Sequence, residues 1–311
     1  MKQIDGFFHE LAPMLSKCVL FSAMILIGGI GLPADSLKSA SGAPQAASKD
    51  QEASGHEDLD ALLWLQTSAE FIAITRQTFR LAEMNLGSAL VDPTWSACLE
   101  QQRMFAKQPS AMAALPPAVI LDVDETVLDN SAYQARLIAN GEEFDPKTWN
   151  LFVQEESGIA VPGAVDFIEA CRAARVTVLY VTNREYEVEY ATRRNLVKTG
   201  LLQENDPDVL LTKNERKQWT SDKKSRRTHL ASQYRILMIL GDDLNDFVSL
   251  GKKPTPEKRR KTATRYSDRW GRQWMALPNP NYGGWERSLY QWEDRAAREA
   301  KLKLKRSNLR D

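Results

Sequence analysis

Unbroken apolar runs alternate with helical patterns through the second half of the chain. The runs lie at 118–123 (AVILDV), 176–181 (VTVLYV) and 235–240 (RILMIL), and a shorter one lies at 208–211. Helical spacing of apolar residues separates these runs, at 162–174, 185–200 and 223–232. A short apolar run between helices is typical of a parallel strand that is buried on both faces. The pattern therefore predicts an α/β fold in which a parallel sheet carries helices on both faces.

A helical pattern precedes this region and runs from Asp58 to about Phe105. Apolar residues such as Leu62 and Leu65 recur there at three- and four-residue steps, which marks one face of a helix. Pro93 separates this stretch from a second helix.

These patterns predict how the chain is organised after residue 57. We predict an N-terminal helical segment over residues 58–115 and a core domain over residues 116–311. We expect the core domain to carry small cap elements near 130–160 and a basic C-terminal tail, Lys301–Arg310. Charge runs of this kind usually lie on the solvated surface.

The first residues have the pattern of an export signal. Lys2 and Lys17 precede an apolar run over residues 18–30, which has the length of a signal-peptide core and is short for a membrane span. Ala34 offers a small residue for cleavage. We therefore predict a signal peptide over residues 1–34 and an exported protein, located in the periplasm or associated with the outer membrane. The alternative is an uncleaved N-terminal anchor.

The segment that follows, residues 35–57, is rich in Ser, Ala, Gly and charged residues and has almost no apolar side chains. Such a segment cannot bury enough apolar surface to order itself. It is predicted to be a flexible tether.

Composition narrows the possible functions. The 311 residues include 41 Lys and Arg and 41 Asp and Glu, so the formal net charge is zero and we expect no nucleic-acid partner. Three cysteines are too few for a disulfide scaffold. Cys98 and Cys171 could form a disulfide in an oxidising compartment, or each could be a small buried apolar residue.

Each of the three clear predicted strands ends in polar residues. Asp122 to Thr126 follows the first, residues 182–184 (TNR) the second, and residues 241–246 (GDDLND) the third. Two lysines, Lys223 and Lys224, open a predicted helix between the second and third clusters. The carboxyl ends of parallel strands share one edge of a sheet, where ligands bind. We therefore expect carboxylates, a hydroxyl and an ammonium group to meet at this edge.

These residue types indicate phosphoryl chemistry. Asp122 and Asp124 leave the first strand together and would repel each other unless a proton or a cation intervened. A divalent cation removes that penalty, and Asp242 supplies a further oxygen ligand. Ligands that are all oxygen atoms favour a hard cation such as Mg²⁺. The cation keeps Asp122 ionised and nucleophilic, while Thr182 and a lysine hold the phosphate oxygens.

Taken in chain order, DVDETVLDN, TNR, the downstream Lys and GDDLNDF resemble the four motifs of the haloacid dehalogenase (HAD) superfamily. The extended first motif, ILDVDETVLDNSAYQ, is similar to one branch of it, the class C bacterial acid phosphatases of the outer-membrane lipoprotein e type. Further likeness to that branch is spread over residues 116–290, in FDPKTW, PGAVDF and LPNPNYGGWE. The resemblance implies a HAD-like Rossmannoid sheet, Mg²⁺, and an aspartyl-phosphate mechanism. The implied substrates are small phosphomonoesters, including the nucleoside monophosphates of a 5′-nucleotidase.

The resemblance also implies a role for individual residues. Asp122 is the expected nucleophile and Asp124 the expected general acid and base. Phosphate binding is expected of Thr182, Asn183 and Lys224, with Lys224 preferred over Lys223. Metal binding is expected of Asp122, the backbone carbonyl of Asp124, and Asp242, with Asp246 in or near the metal site. Leaving-group binding is expected of Trp149 and Tyr282. Arg184 either contacts the substrate or forms a salt bridge.

Other functions fit the sequence less well. A non-catalytic binding or storage protein on the same scaffold lacks the nucleophile, and a dehalogenase lacks the second aspartate, whereas Asp122 and Asp124 are both present. The lipoproteins of this family carry a lipidated cysteine after the apolar leader, but Cys18 precedes it here. A membrane contact is therefore expected only through an uncleaved leader or a lipid anchor, and the sequence leaves open whether the chain is a homo-oligomer.

Overall fold

The computed structural model describes residues Asp58–Arg310. The predicted signal peptide (1–34), the predicted tether (35–57) and Cys18 lie outside the described residues. No helix within 58–310 has both the length and the apolar character needed to cross a membrane.

A five-stranded parallel sheet forms the centre of the fold, in the order β5-β4-β1-β6-β7. Its strands are β1 (Pro117–Leu121), β4 (Thr177–Glu185), β5 (Leu210–Lys213), β6 (Arg235–Gly241) and β7 (Trp274–Ala276). Two short strands, β2 (Leu128–Asp129) and β3 (Ile159–Ala160), pair antiparallel in a separate sheet.

The apolar runs of the sequence account for the central strands. Every residue of β6 is buried, as is every residue of β1 after Pro117. β1 lies between β4 and β6, with Leu121 opposite Tyr180 on one side and Leu240 on the other. The prediction of a parallel α/β sheet is confirmed. The edge strand β7 was not predicted, because its three residues are too few for a periodic pattern.

Helices surround the sheet, and one 3₁₀ turn, Tyr186–Val188, follows β4. They are α1 (Leu59–Thr67), α2 (Ala69–Val91), α3 (Leu99–Met104), α4 (Pro109–Ala113), α5 (Ser131–Asn140), α6 (Pro146–Gln154), α7 (Ala164–Ala173), α8 (Glu189–Lys198), α9 (Lys224–Ala231), α10 (Leu244–Phe247), α11 (Pro256–Arg265), α12 (Gly284–Leu289) and α13 (Arg298–Arg306).

The N-terminal helices share one hydrophobic core with the sheet. On α2, Phe79 packs against Phe167 of α7, with ring centroids 5.9 Å apart. After α2, the indole Nε1 of Trp95 donates a hydrogen bond to the carbonyl of Leu237 in β6 at 2.6 Å. The side chain of Gln101 donates to the carbonyl of Ala231 at 2.7 Å. The predicted N-terminal segment is thus anchored to the sheet by both apolar and polar contacts.

The C-terminal tail is more ordered than its charge pattern predicts. Residues 298–306 form α13, and two of its lysines form ion pairs with carboxylates elsewhere in the domain. Lys301 lies 2.7 Å from Glu143, and Lys305 lies 2.6 Å from Glu286. This part of the tail is therefore packed on the domain, although none of its residues is fully buried.

Both cysteines among the described residues are free and buried. Cys171 lies on the buried side of α7, and Cys98 precedes α3. Of the two readings of these cysteines, the structure shows separate buried thiols.

Candidate active site

Three strand ends of the sheet meet, as predicted. Asp122 follows β1, Thr182 lies near the end of β4, and Asp242 follows β6. The backbone N–H of Asp122 donates to the carbonyl of Leu240 at 3.0 Å, which fixes the first loop against the third. The polar clusters that are far apart in sequence therefore form one site.

Three carboxylates converge in this site. Asp122, Asp242 and Asp246 each offer an oxygen, and these oxygens lie within 4.8 Å of one another. Burial raises the pKa of Asp122 to about 7 despite the nearby Lys223 ammonium. The pKa of Asp242 is raised well above its usual range by burial and then by the charges of Asp246 and Asp122. The ligand atoms are all oxygen, and burial and mutual repulsion oppose ionisation of these carboxyl groups. A hard divalent cation would compensate their negative charge, so the cluster suits such a cation.

The position of the Asp246 side chain depends on Gly241 and on the short helix α10. A Cβ added at Gly241 would lie under 3.0 Å from the Asp246 carboxylate, so only glycine lets this side chain approach the end of β6. Asp246 also accepts from the backbone N–H of Asp243 at 2.9 Å, in the capping box that begins α10. These contacts aim the Asp246 carboxylate back into the site.

The lysine next to the carboxylates is Lys223 rather than the preferred Lys224, and which lysine binds phosphate stays a prediction. The ammonium of Lys223 lies 2.6 Å from a carboxylate oxygen of Asp122 and 2.6 Å from one of Asp246, and the side chain is almost fully buried. These carboxylates raise its pKa against the opposing effect of burial. Lys224 is exposed. Successive residues of a helix point about 100° apart, and here Lys223 points into the site while Lys224 points to solvent.

A signal for Lys223 was present in the sequence. The buried positions of α9 and its N-cap are Lys223, Arg226, Arg227, Leu230 and Ala231, at the i, i+3, i+4, i+7 and i+8 spacing of one helix face. Leu230 fixes which face is inside. Counting back seven residues from it reaches Lys223 rather than Lys224.

Asp124 is held by two side chains. Its Oδ1 accepts from Nε of Arg184 at 2.9 Å and from Nδ2 of Asn130 at 3.0 Å, and Nη2 of Arg184 lies 2.8 Å from the same oxygen. Its Oδ2 lies 3.5 Å from the hydroxyl of Thr182. Of the two readings of Arg184, the structure therefore shows the salt bridge.

Thr182 and Asn183 both lie at the end of β4, in different surroundings. Thr182 is fully buried, and its hydroxyl accepts from the backbone N–H of Arg184 at 3.1 Å. Asn183 is exposed, and its side-chain amide donates to the carbonyl of Ser221 at 3.2 Å and accepts from Arg226 at 2.6 Å. The side chain of Asn183 thus joins β4 to the loop before α9. The phosphate-binding role of either residue stays a prediction.

Trp149 belongs to an aromatic cluster in the cap elements. It packs against Tyr133 and Phe152, with ring centroids 5.0 and 5.7 Å away. The guanidinium of Arg184 lies over its ring at 5.6 Å, and both Trp149 and the neighbouring Asn150 are partly exposed. Trp149 therefore contacts Arg184, which in turn contacts Asp124.

Tyr282 approaches Asp124 from another direction. Its hydroxyl donates to Oε2 of Glu125, which is buried. Burial and the charge of Asp124 raise the pKa of Glu125 to about 8, and burial raises the pKa of Tyr282 well above its ordinary value. Glu125 was not predicted as a site residue; its backbone φ of 54° turns the chain sharply after Asp124.

The loop that carries Tyr282 also carries a residue that sequence reasoning missed. The amide of Asn279 donates to Oδ2 of Asp242 at 2.8 Å. The backbone N–H groups of Asn281 and Tyr282 donate back to the Asn279 side chain at 3.1 and 3.4 Å. This loop therefore joins the carboxylate cluster to the predicted leaving-group side of the site.

Comparison with known proteins agrees with this arrangement. The family model described as acid phosphatase, HAD superfamily subfamily IIIB, matches residues 76–285. The structure of the class C acid phosphatase from Bacillus anthracis is similar, with a TM-score of 0.69 and 29% identity over 82% of this chain and 97% of that one. A second structure of that enzyme, with tungstate bound, gives a TM-score of 0.69 and 28% identity over the same shares of the two chains.

Proposed function

Since the chain belongs to the acid phosphatases of HAD subfamily IIIB and is thus a phosphomonoesterase, we propose that it is an exported, Mg²⁺-dependent enzyme whose substrates include nucleoside 5′-monophosphates. The observation that carries this proposal is the carboxylate cluster of Asp122, Asp242 and Asp246, closed on one side by the buried ammonium of Lys223. A stable fold does not need this concentration of buried charge, which is costly unless it is compensated.

In the proposed reaction, a carboxylate oxygen of Asp122 attacks the phosphorus of the ester. The P–O bond to Asp122 forms while the P–O bond to the leaving group breaks, and Asp124 gives its proton to the leaving oxygen. Water then attacks the phosphorus of the aspartyl phosphate, Asp124 takes a proton from that water, and phosphate leaves. The ammonium of Lys223 and the hydroxyl of Thr182 lie beside Asp122 and Asp124, where they can bind the phosphate oxygens.

The residues that would hold the cation are Asp122, Asp242 and Asp246, together with the backbone carbonyl of Asp124. Their fit rests on the raised pKa values of Asp122 and Asp242, which oppose full ionisation unless positive charge is added. When bound, Mg²⁺ neutralises these carboxylates and stabilises charge that develops on the phosphoryl group. The Asn279 amide donates to Oδ2 of Asp242 and would hold that carboxylate in position.

Nucleotide substrates are proposed because the aromatic rings of Trp149 and Tyr282 lie near Asp124. Trp149 and Tyr282 reach it through Arg184 and Glu125, respectively, and both rings are partly exposed. Aromatic rings in this position can contact the base of a nucleotide without selecting among bases. The tungstate bound to the related Bacillus anthracis enzyme is a tetrahedral oxyanion like phosphate, which supports a phosphate subsite in this family.

Export is proposed from residues 1–34, with cleavage near Ala34. The intact mass of the protein recovered from its native compartment tests this. A mass that matches a chain beginning after Ala34 supports export by cleavage, whereas a retained leader or a lipid-modified cysteine contradicts it.

The enzymatic proposal is tested by assaying the purified protein on nucleoside 5′-monophosphates and glycerol phosphate, before and after treatment with EDTA. We expect EDTA to remove activity and Mg²⁺ to restore it without any need for Zn²⁺. Asp122→Asn should have no measurable turnover, because an amide is a poor nucleophile and a weak metal ligand. Asp166→Asn is the matched control, since Asp166 is an exposed aspartate of α7. Full activity of Asp122→Asn, or activity that survives exhaustive chelation, would contradict the proposal.

A further inference from the structure

The two oxygens of the Asp124 carboxylate have unlike surroundings. Oδ1 receives N–H groups from Nε of Arg184 at 2.9 Å and from Nδ2 of Asn130 at 3.0 Å, and Nη2 of Arg184 lies 2.8 Å away. Among residues 58–310, the hydrogen bond to Oδ2 comes from the Thr182 hydroxyl at 3.5 Å, the outer limit for a hydrogen bond. A carboxylate oxygen has about two lone-pair sites, so these donors fill Oδ1. Oδ1 is therefore held by fixed donors, and Oδ2 is the oxygen left to face a substrate.

The groups on Oδ1 form a rigid unit, which we call the Asp124 clamp: Arg184 and Asn130. Arg184 is 1% exposed and Asn130 is 2% exposed. The two side chains are bonded to each other, Nη2 of Arg184 donating to Oδ1 of Asn130 at 3.1 Å. Nη1 of Arg184 donates to the hydroxyl of Thr192 at 3.3 Å, and Nδ2 of Asn130 also reaches the carbonyl of Leu128 at 3.3 Å. Each nitrogen of the guanidinium thus has a partner, which leaves it little freedom to rotate.

We propose that Arg184 and Asn130 are positioning residues that hold Oδ1 of Asp124, so that Oδ2 alone transfers the proton to and from the substrate. This inference rests on the proposed function of Asp124 as general acid and base. In the first step Oδ2 gives its proton to the leaving oxygen as the P–O bond to the leaving group breaks. In the second step Oδ2 takes a proton from the attacking water as the P–O bond to Asp122 breaks.

The clamp also contacts the predicted leaving-group side of the site. The guanidinium of Arg184 contacts both Asp124, at 2.8 Å, and the ring of Trp149, 5.6 Å from the ring centroid. A leaving group beside Trp149 would therefore find its oxygen next to a carboxyl group whose orientation is already set. Preorganisation of this kind avoids the cost of ordering the acid in the transition state.

The inference is tested by comparing kcat/KM for two aryl phosphates whose leaving groups differ in basicity. Phenyl phosphate releases a basic phenolate that needs a proton, whereas dinitrophenyl phosphate releases a stable anion that does not. Both substrates carry a ring, so their contact with Trp149 is similar. kcat/KM reports only steps up to release of the leaving group, and therefore isolates the step in which Asp124 acts as an acid.

Three variants carry the test. General acid catalysis contributes about 100- to 10,000-fold, so Arg184→Lys and Asn130→Ala should each lose about 10- to 100-fold on phenyl phosphate and less than about threefold on dinitrophenyl phosphate. Thr192→Val is the matched control, because Thr192 contacts the guanidinium on the side away from Asp124. It should change both substrates equally and little. Circular dichroism and thermal unfolding identify any variant that fails to fold, and the other clamp variant then decides.

The outcomes separate this inference from the proposed function. Asp124→Asn should show the same selective loss on phenyl phosphate, and Arg184→Lys added to Asp124→Asn should cost little more. If Asp124→Asn shows the selective loss but the folded clamp variants lose activity equally on both substrates, the clamp is structural and the inference is overturned. If Asp124→Asn itself lacks the selective loss, the proposed role of Asp124 fails.

Discussion

Lys223 and Lys224 offer a comparison between adjacent residues of the same type in opposite environments. Lys223 is 3% exposed, and its ammonium is 2.6 Å from each of two carboxylates, whereas Lys224 is exposed. We predict that Lys223→Met abolishes phosphatase activity and destabilises the metal-free protein, while Lys224→Met has little effect on either.

The size of the effect follows from the contacts of Lys223. Removing one partner of a buried ion pair costs about 3–5 kcal/mol, because the carboxylates that remain are left without compensation. For a domain of this size, 1 kcal/mol shifts Tm by about 2–4 °C, so Lys223→Met should lower Tm by about 6–20 °C. The lower end applies if Asp122 becomes protonated in the variant, since its pKa is already raised to about 7.

The assay is thermal unfolding of both variants and the parent protein in EDTA near neutral pH, followed by the same measurement in Mg²⁺. Mg²⁺ should raise the Tm of Lys223→Met more than that of the parent protein, because the cation then provides the positive charge that the lysine supplied. Equal Tm values for Lys223→Met and Lys224→Met, or wild-type turnover of Lys223→Met, would refute the assignment of Lys223 to the site.

Three further outcomes are expected. Gly241→Ala should displace the Asp246 carboxylate, at about 1–3 kcal/mol for overpacking, and should weaken Mg²⁺ binding measured by calorimetry. Glu125 binds its proton more tightly in the folded protein than in the unfolded chain. Its contribution to stability is therefore complete below about pH 4.5 and is lost as pH rises through about 8, so that Tm of the metal-free protein falls over this window and falls less in Glu125→Gln. Tyr282→Ala should raise KM for a nucleotide by about 5- to 150-fold with little effect on glycerol phosphate, whereas Tyr282→Phe keeps the ring and should raise it less; an equal loss on both substrates would mean that Tyr282 only supports the fold.

The central fold could be predicted from sequence because its strands are fully buried and therefore apolar throughout. β1, β4 and β6 match runs in the sequence to within a few residues, and the helices between them match the predicted periodic stretches. β7 could not be predicted, since its three residues are too few for a periodic pattern. The packing of α13 was missed for a different reason: Lys301 and Lys305 are charged whether they face solvent or a carboxylate.

The site was predicted where a carboxylate or hydroxyl directly follows a strand. Such a position is fixed by the strand itself, and Asp122, Thr182 and Asp242 all lie at the expected edge. Residues that only contact another side chain of the site do not directly follow a strand, so the sequence contained no comparable indication of them. Asn130 and Asn279 contact Asp124 and Asp242 only because two loops return to the site, and a polar residue in a loop is ordinary composition.

Lys224 was preferred on the spacing of the family's motif, whereas the structure turns Lys223 toward the carboxylates. Apolar periodicity predicts buried helix faces, but the buried face of α9 is mostly cationic. One turn of this helix sends Arg226 to the carbonyl of Thr182 and the side chain of Asn183, and Arg227 to the carbonyl of Asp246 at 3.0 Å. With Lys223 on the carboxylates, α9 therefore contacts the ends of β4 and β6 through buried charges. Uncompensated, these cations would destabilise the domain, so their burial is explained only by the carboxylates and carbonyls that converge on them. Of these three cations, Lys223 contacts the carboxylates of the site, while Arg226 and Arg227 hold the helix on the strand ends mainly through carbonyl oxygens.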